Sequence, residues 1–364
     1  MPWDARDKEI MEAIARVAPG TPLRESLDNI LRARSGALIV VGNPDSVLGL
    51  TDGGFPVDVR MTPQRLYEMS KMDGALVLDA DAERIIRANT LLLPDPSIPS
   101  SETGIKHRVA QRMARQTGEM VICVSSRRSI ISLYRGAHRH VLSELPVVMA
   151  RVDQALSTLE RYRGLLDESL VRLTELELEG QVTIRDLVAV VGRSLMVTDM
   201  AEEIDIHTAE MGVEGRLANI RRRELVDGVE RELELVILDY AVGGVAESPH
   251  RVIERLKDES PALNSVEMAR LLGVMPEDQE APGLESRVVP RGHRILRQIP
   301  RIPTSVIEEL VEHFDGLDAI LEAKPEDLEQ AEGVGSVRAR AIYQGLMLAR
   351  DLSPRPVGGM VRRS

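Results

Sequence analysis

Gly36-Ala37-Leu38-Ile39-Val40-Val41-Gly42 decides how the first third of this chain folds. A short, uninterrupted apolar run rich in β-branched residues and bounded by glycines reads as a strand buried on both faces. Working outward, helical spacing over Arg24–Arg34 precedes it. Further strand patterns follow at Ala75–Leu78, Arg84–Ala88, Met120–Val124 and Ser129–Tyr134. A helix over Val109–Gln116, closed by Gly118, falls among them. Interleaved strands and helices predict an α/β domain, a mixed sheet flanked by helices, over residues 1–140.

Beyond Leu142 the period changes. Leu145, Met149, Val152, Leu156, Leu159, Tyr162, Leu166, Leu170, Leu173 and Leu176 recur at three- and four-residue steps, which predicts one long amphipathic helix. Helical patterns continue through Thr183–Val191, Met196–Ile206 and Glu214–Tyr240. Residues 141–285 therefore read as an all-α spine, a structural connector without chemistry of its own. A stretch punctuated by Gly273, Pro276, Pro282, Gly283 and Pro290 follows. Residues 286–364 then hold a short repeat: Arg301-Ile302-Pro303-Thr304-Ser305-Val306 corresponds to Gly333-Val334-Gly335-Ser336-Val337-Arg338, 32 residues on. Each copy leads into an amphipathic helix, Val306–Phe314 and Val337–Ala349, and Ser305 with Glu308 has capping-box spacing.

The 364 residues carry 46 Lys and Arg against 58 Asp and Glu, a net charge of −12. That acidity lies in the middle. Residues 1–140 hold 19 basic and 17 acidic side chains, residues 141–280 hold 15 and 29, and residues 281–364 hold 12 and 12. Both ends are thus free to meet phosphates. A single cysteine, Cys123, excludes an internal disulfide framework and any cysteine-cluster metal site. With no apolar run near the ~20 residues that span a bilayer, and no signal pattern in Met1–Gly20, no membrane partner is expected and the address is cytoplasmic.

In the repeat, a Gly-apolar-Gly turn brings a backbone close to a ligand, and the free amides of the next helix favour an anion. Gly333, Val334, Gly335, Ser336 and Arg338 resemble the turn of a helix-hairpin-helix module, here in tandem, which implies a grip on DNA backbone. The first copy lacks both glycines, so the second is expected to make the direct contact.

Three clusters stand out near the N-terminus. Lys71-Met72-Asp73-Gly74-Ala75-Leu76-Val77-Leu78-Asp79 sets a carboxylate and a glycine at the mouth of a strand, Ser101-Glu102-Thr103-Gly104-Ile105-Lys106-His107-Arg108-Val109-Ala110 runs from a polar loop into a basic helix, and Ser125-Ser126-Arg127-Arg128 follows the strand of Cys123. Singly, an Asp-Gly is a turn and an arginine-rich helix a solvated face. Together they pair one hard carboxylate, suited to Mg2+ or Mn2+, with cationic loops suited to polyphosphate. Lys106, His107, Arg108 and Arg128 would neutralise the developing phosphate charge. No Walker A or Gly-x-Gly-x-x-Gly sequence is present.

In order and spacing, these motifs, with Asn89-Thr90-Leu91-Leu92-Leu93-Pro94-Asp95, the helical middle and the C-terminal repeat, resemble the DNA integrity scanning proteins, bacterial diadenylate cyclases. The resemblance implies condensation of two ATP molecules into cyclic di-AMP with release of two pyrophosphates, by paired domains within a homo-octamer. It implies metal binding and hydroxyl activation by Asp73, with His107 and Arg108 completing the catalytic group. Gly74, Ala75 and Leu92 would contact the nucleoside, and Ile105, Lys106, His107, Arg108 and Val109 would wrap the phosphates beside Ser125 and Arg128. Branched DNA such as Holliday junctions, held at the far end, would restrain the cyclase. Family members carry Gly-Thr-Arg-His-Arg-Thr/Ser-Ala where this chain has Ile105, Lys106 and Val109. Two hydroxyl donors are missing and a planar fork has become a point charge. The sequence thus leaves open a slowed cyclase or a DNA-structure-binding protein that holds ATP or cyclic di-AMP without efficient turnover.

Overall fold

A computed structural model describes residues 5–241, 248–259, 263–275 and 283–352; part of the proline- and glycine-bearing stretch, residues 276–282, lies outside the described residues. The chain divides into two compact units. One contains residues 5–156 and 202–222, the other residues 157–201 and those from 223 onward.

The first unit is built on a mixed sheet. Helices α1 (Ala5–Arg16) and α2 (Pro22–Arg32) precede strand β1 (Ala37–Val41). Then come α3 (Pro44–Leu48), β2 (Thr51–Asp52), β3 (Phe55–Arg60), α4 (Pro63–Met69), β4 (Ala75–Leu78) and β5 (Arg84–Leu92). Helix α5 (Ile105–Thr117) leads to a meander of β6 (Met120–Ser125), β7 (Ile130–Arg135) and β8 (His138–Leu142). The strand order is β2-β5-β4-β1-β6-β7-β8, with β3 also paired to β5. β1 runs parallel to β4 and antiparallel to β6.

Strand β1 sits at the centre, fully buried, as its unbroken apolar run predicts. Its residues split between two cores. Leu38 and Val40 pack with Val47 of α3 and Ala110, Met113 and Ala114 of α5. Ile39 and Val41 pack on the other face with Ile14, Leu27, Ile30 and Leu66 of α1, α2 and α4.

Three strands are not evident from sequence. β3 (Phe-Pro-Val-Asp-Val-Arg) is interrupted by proline and mostly exposed, and β8 (His-Arg-His-Val-Leu) is polar. β2 is two residues long. Each lies at a margin of the sheet, where no second apolar face is needed. β5 runs past Ala88 to Leu92, carrying a bulge where Asn89 takes a left-handed φ of 55° and the pairing with β4 shifts register. α5 begins at Ile105, a turn earlier than the apolar spacing alone suggests.

The long amphipathic pattern is one helix, α6 (Leu145–Leu178), and the two patterns after it merge into a single α7 (Ile184–Met211). The pattern over Glu214–Tyr240 is instead broken. After a 3-10 turn (Gly212–Gly215), α8 (Arg216–Val226) and α9 (Val229–Tyr240) are separated by Gly228 at φ 75°. Helices α10 (Pro249–Glu259) and α11 (Ser265–Leu271) follow, then four short helices, α12 (His293–Arg297), α13 (Thr304–His313), α14 (Leu317–Glu322) and α15 (Pro325–Leu328), and a longer α16 (Ser336–Leu352). Leu178 of α6 joins the core formed by the last five.

One fully buried ionic cluster organises this second unit. Arg294 of α12 donates to Glu177 of α6 from Nε at 3.2 Å and again from a terminal nitrogen, and to Thr174 Oγ1 at 2.7 Å. Tyr240 of α9 donates to the same Glu177 at 2.8 Å. Asp239 accepts from the amides of Gly292, His293 and Arg294 at 2.8, 2.6 and 2.9 Å. Every partner a buried charge requires is supplied.

Candidate phosphate sites

Strand register assembles the first site. Ala75 opposes Leu38 near the start of β1 and Thr90 near the end of β5, while Val124, near the end of β6, opposes Ala37. The approaches to β1 and β4 and the exits from β5 and β6 therefore share one end of the sheet. Asp73-Gly74 and Ser125–Arg128 lie there together. Lys106 joins them: a Cβ built on Gly36 would lie 3.8 Å from Ser126 Oγ and 4.0 Å from Lys106 Nζ.

Gly74 is required locally. Its φ is 102°, and a Cβ would fall 2.9 Å from the carbonyl carbon of Asn89 and 3.0 Å from the oxygen of Thr90. The β5 irregularity thus presses on Gly74 and leaves Asp73 exposed at the rim.

Helix α5 starts without a side-chain cap. Gly104 is its N-cap, and the first helical bond runs from the Arg108 amide to the Gly104 carbonyl at 2.8 Å. The amides of Ile105, Lys106 and His107 are left without intrahelical acceptors at the positive end of the dipole. Ile105 is 82% exposed. Arg108 donates from Nε to the Glu102 carbonyl at 3.3 Å. Arg112 is tied to the Ile98 carbonyl and Arg115 to that of Pro99, so the lower arginines brace the preceding loop.

His107 differs from its neighbours. It is buried, with Nδ1 2.9 Å from Tyr134 Oη; that hydroxyl donates to Glu102 Oε1, also at 2.9 Å, and Arg139 pairs with Glu102 at 2.7 Å. Burial lowers the pKa of His107, Glu102 opposes the shift, and Arg128 and Arg139 add to it. A depressed histidine is a poor counter-charge for phosphate, contrary to the role the sequence suggests for it. Tyr134 and Arg139 had no motif to reveal them, and Glu102, though inside the polar-loop cluster, had no role assigned from sequence. Leu92 and Ala75 turn their side chains into the core shared with α5, so only their main chains are presented, whereas Val109 is half-buried against that core. Burial pushes the Cys123 thiol up to about 12, which keeps it protonated.

The second site, in the other unit, is a repeated turn. Arg301 has φ 67° and Gly333, its counterpart 32 residues on, has φ 75°; each lies three residues before a helix, α13 or α16. The Ile307 amide bonds to the Pro303 carbonyl at 3.3 Å and the Ala339 amide to that of Gly335 at 2.9 Å, the same step in both copies. The expected capping box is absent: α13 starts at Thr304 after Pro303, with no side-chain cap, and Ser305 lies inside the first turn. Gly333, Gly335, Ser336 and Arg338 are exposed, whereas Val334 is buried in the helical core and anchors the turn. A Cβ on Gly335 would meet nothing within 4 Å. Arg338 folds back to donate to the Gly333 carbonyl at 2.7 Å.

Among the described residues, no helix is long and apolar enough to cross a membrane, and no group of three or more His, Cys, Asp or Glu side chains is placed to hold a metal ion.

Comparison with known proteins matches residues 24–139 to the DisA bacterial checkpoint controller nucleotide-binding region and residues 142–281 to the DisA bacterial checkpoint controller linker region. The DNA integrity scanning protein DisA of Carboxydothermus hydrogenoformans is 43% identical over 346 residues, covering 95% of this chain and 98% of that protein. The protein of the same name from Symbiobacterium thermophilum is 46% identical over 343 residues, covering 93% and 95%.

Proposed function

The chain belongs to the DNA integrity scanning protein DisA family, and on that premise we propose that it is a diadenylate cyclase coupled to branched DNA such as Holliday junctions. The observation that carries the reading is one end of the sheet, where strand register gathers Asp73-Gly74 and the Ser125–Arg128 turn and where Lys106, at the uncapped start of α5, lies beside Gly36. In the reaction each ribose 3′-oxygen attacks the α-phosphorus of the other ATP. Its proton leaves, the bond from that phosphorus to the bridging oxygen breaks, and pyrophosphate departs.

The free amides of Ile105, Lys106 and His107, with Lys106, Arg108 and Arg128, would hold the phosphates. Gly74 would admit the nucleoside close to the main chain, beside Ala75 and Leu92, with Val109 and Ser125 lining the pocket. Asp73 alone, without a protein cage, fits Mg2+ or Mn2+ shared with nucleotide phosphates. Such an ion would neutralise charge on the leaving group. Two ATP molecules call for two copies face to face. Exposed Leu91 and Leu93, 59% and 52% accessible, and Ile105 are apolar surface that such pairing would cover; the octamer is part of this proposal.

We assign residues 1–140 to the cyclase, 141–285 to the spine and 286–364 to tandem helix-hairpin-helix modules gripping DNA through Gly333, Val334, Gly335, Ser336 and Arg338. The test is to incubate the protein with ATP and Mg2+ or Mn2+, with and without a four-way junction, and to measure cyclic di-AMP. Product that falls when junction is added is the expected result, and no product under any condition rejects the cyclase. A second reading, a DNA-binding protein that holds nucleotide without efficient turnover, is favoured by the apolar Ile105 at the first position of α5.

A further inference from the structure

Tyr134 has one hydroxyl proton, and it is committed. The hydroxyl donates to Glu102 Oε1 at 2.9 Å, where the carboxylate is also engaged by Arg139 at 2.7 Å. Its oxygen can therefore meet His107 Nδ1, 2.9 Å away, only as an acceptor. The nitrogen facing it must carry the proton. Because burial and the neighbouring arginines hold His107 toward the neutral form, that proton is the ring's only one at neutral pH. Nε2 is then bare, and among the described residues it has no hydrogen-bond partner.

We infer that Glu102 and Tyr134 are positioning residues that fix His107 as the neutral Nδ1–H tautomer, so that Nε2 offers a lone pair, not a proton, to the bound nucleotide. The inference rests on the cyclase reading and deepens it. His107 becomes an acceptor for a proton-bearing or cationic group of the substrate complex, and the phosphate oxygens are left to Lys106, Arg108, Arg128 and the α5 amides. The geometry has the logic of a carboxylate that orients a catalytic imidazole through its far nitrogen, here relayed through a phenol. Placement supports it: Glu102 lies in the loop before α5, His107 in its first turn and Tyr134 on β7, so the relay ties the uncapped helix start to the sheet. The rings stand edge to face, 6.3 Å apart at 65°, which fixes the imidazole plane.

The experiment is solid-state 15N spectroscopy of the full chain labelled at histidine nitrogens, with the His107 signals identified by their loss in His107→Gln. The expected spectrum shows a protonated Nδ1 and a bare Nε2. In Tyr134→Phe the proton should move to Nε2. Cyclic di-AMP formation at saturating ATP should then fall about 10- to 100-fold while KM for ATP moves less than about threefold. A wild-type ring with its proton on Nε2, an unchanged tautomer in Tyr134→Phe, or an unchanged kcat in that variant overturns the inference. Should Tyr134→Phe not fold, the wild-type spectrum decides alone. A protein that shows the Nδ1–H ring yet makes no cyclic product supports the tautomer and rejects the cyclase reading.

Discussion

Helices α5 and α16 both begin after a glycine, Gly104 and Gly335, and both leave their first amides free of intrahelical partners, yet they are built differently. The α5 start is underpinned by the His107–Tyr134–Glu102–Arg139 chain and ringed by Lys106, Arg108 and Arg128. The α16 start has a buried valine beneath it, and its nearest arginine, Arg338, is folded onto its own turn. A site for one small polyanion must orient it from several sides, whereas a site on an extended phosphate backbone gains by repetition. On the proposed DNA-binding reading, the first copy at Arg301–Thr304, with matching φ and matching hydrogen bonds, supplies that repetition.

The largest expected effect tests the enzyme side alone. Asp73→Asn should lower cyclic di-AMP formation about a thousandfold or more, since it removes the only carboxylate assigned to the metal, while junction retardation on a gel stays unchanged. Next, Ile105→Thr combined with Lys106→Arg and Val109→Thr should raise turnover roughly 10-fold or more, at about 1–3 kcal/mol per restored donor; equal turnover refutes an impaired site. On the other side, Gly335→Asp should weaken junction binding by about tenfold and spare nucleotide binding. Because a side chain there meets open space, a loss reflects the ligand and not the fold. Smallest, Arg301→Gly should relieve a left-handed residue worth about 1 kcal/mol, seen as a slightly higher Tm, while removing one cation from the first turn.

One carboxylate of the sheet unit ties its stability to pH. In the sheet unit, burial pushes Glu210 up, but His140 at 3.3 Å and the Ser143 amide at 2.5 Å more than reverse this, so its carboxyl titrates below 4.5. Its stabilisation is present above pH 4.5 and is lost as pH falls below that value through the folded pKa. Acid unfolding of Glu210→Gln should therefore show a shallower loss of stability below pH 4.5 than the wild type, measured by denaturant titration at each pH.

What was legible in the sequence follows the same division. β1 and α6 announce themselves because burial demands an unbroken run or a strict period. The marginal β3 and β8 do not, since edge strands need no apolar face. At the proposed nucleotide end, Asp73-Gly74 and the α5 start were readable as local patterns, but Glu102, Tyr134 and Arg139 meet His107 only through the tertiary fold. Nor does an arginine advertise a positive φ: Arg301 betrays its conformation only through its register with Gly333.

The pairing of Glu177 with Arg294 also bears on how the chain comes off the ribosome. The acid emerges 117 residues before its partner, about 6 to 23 seconds earlier at bacterial synthesis speeds. From residue 222 onward the sheet unit has every segment it needs, while the other waits with a carboxyl whose arginine has not yet appeared. Nascent chains arrested just short of position 294 should accordingly resist protease over the sheet and be cut along the second half of α6.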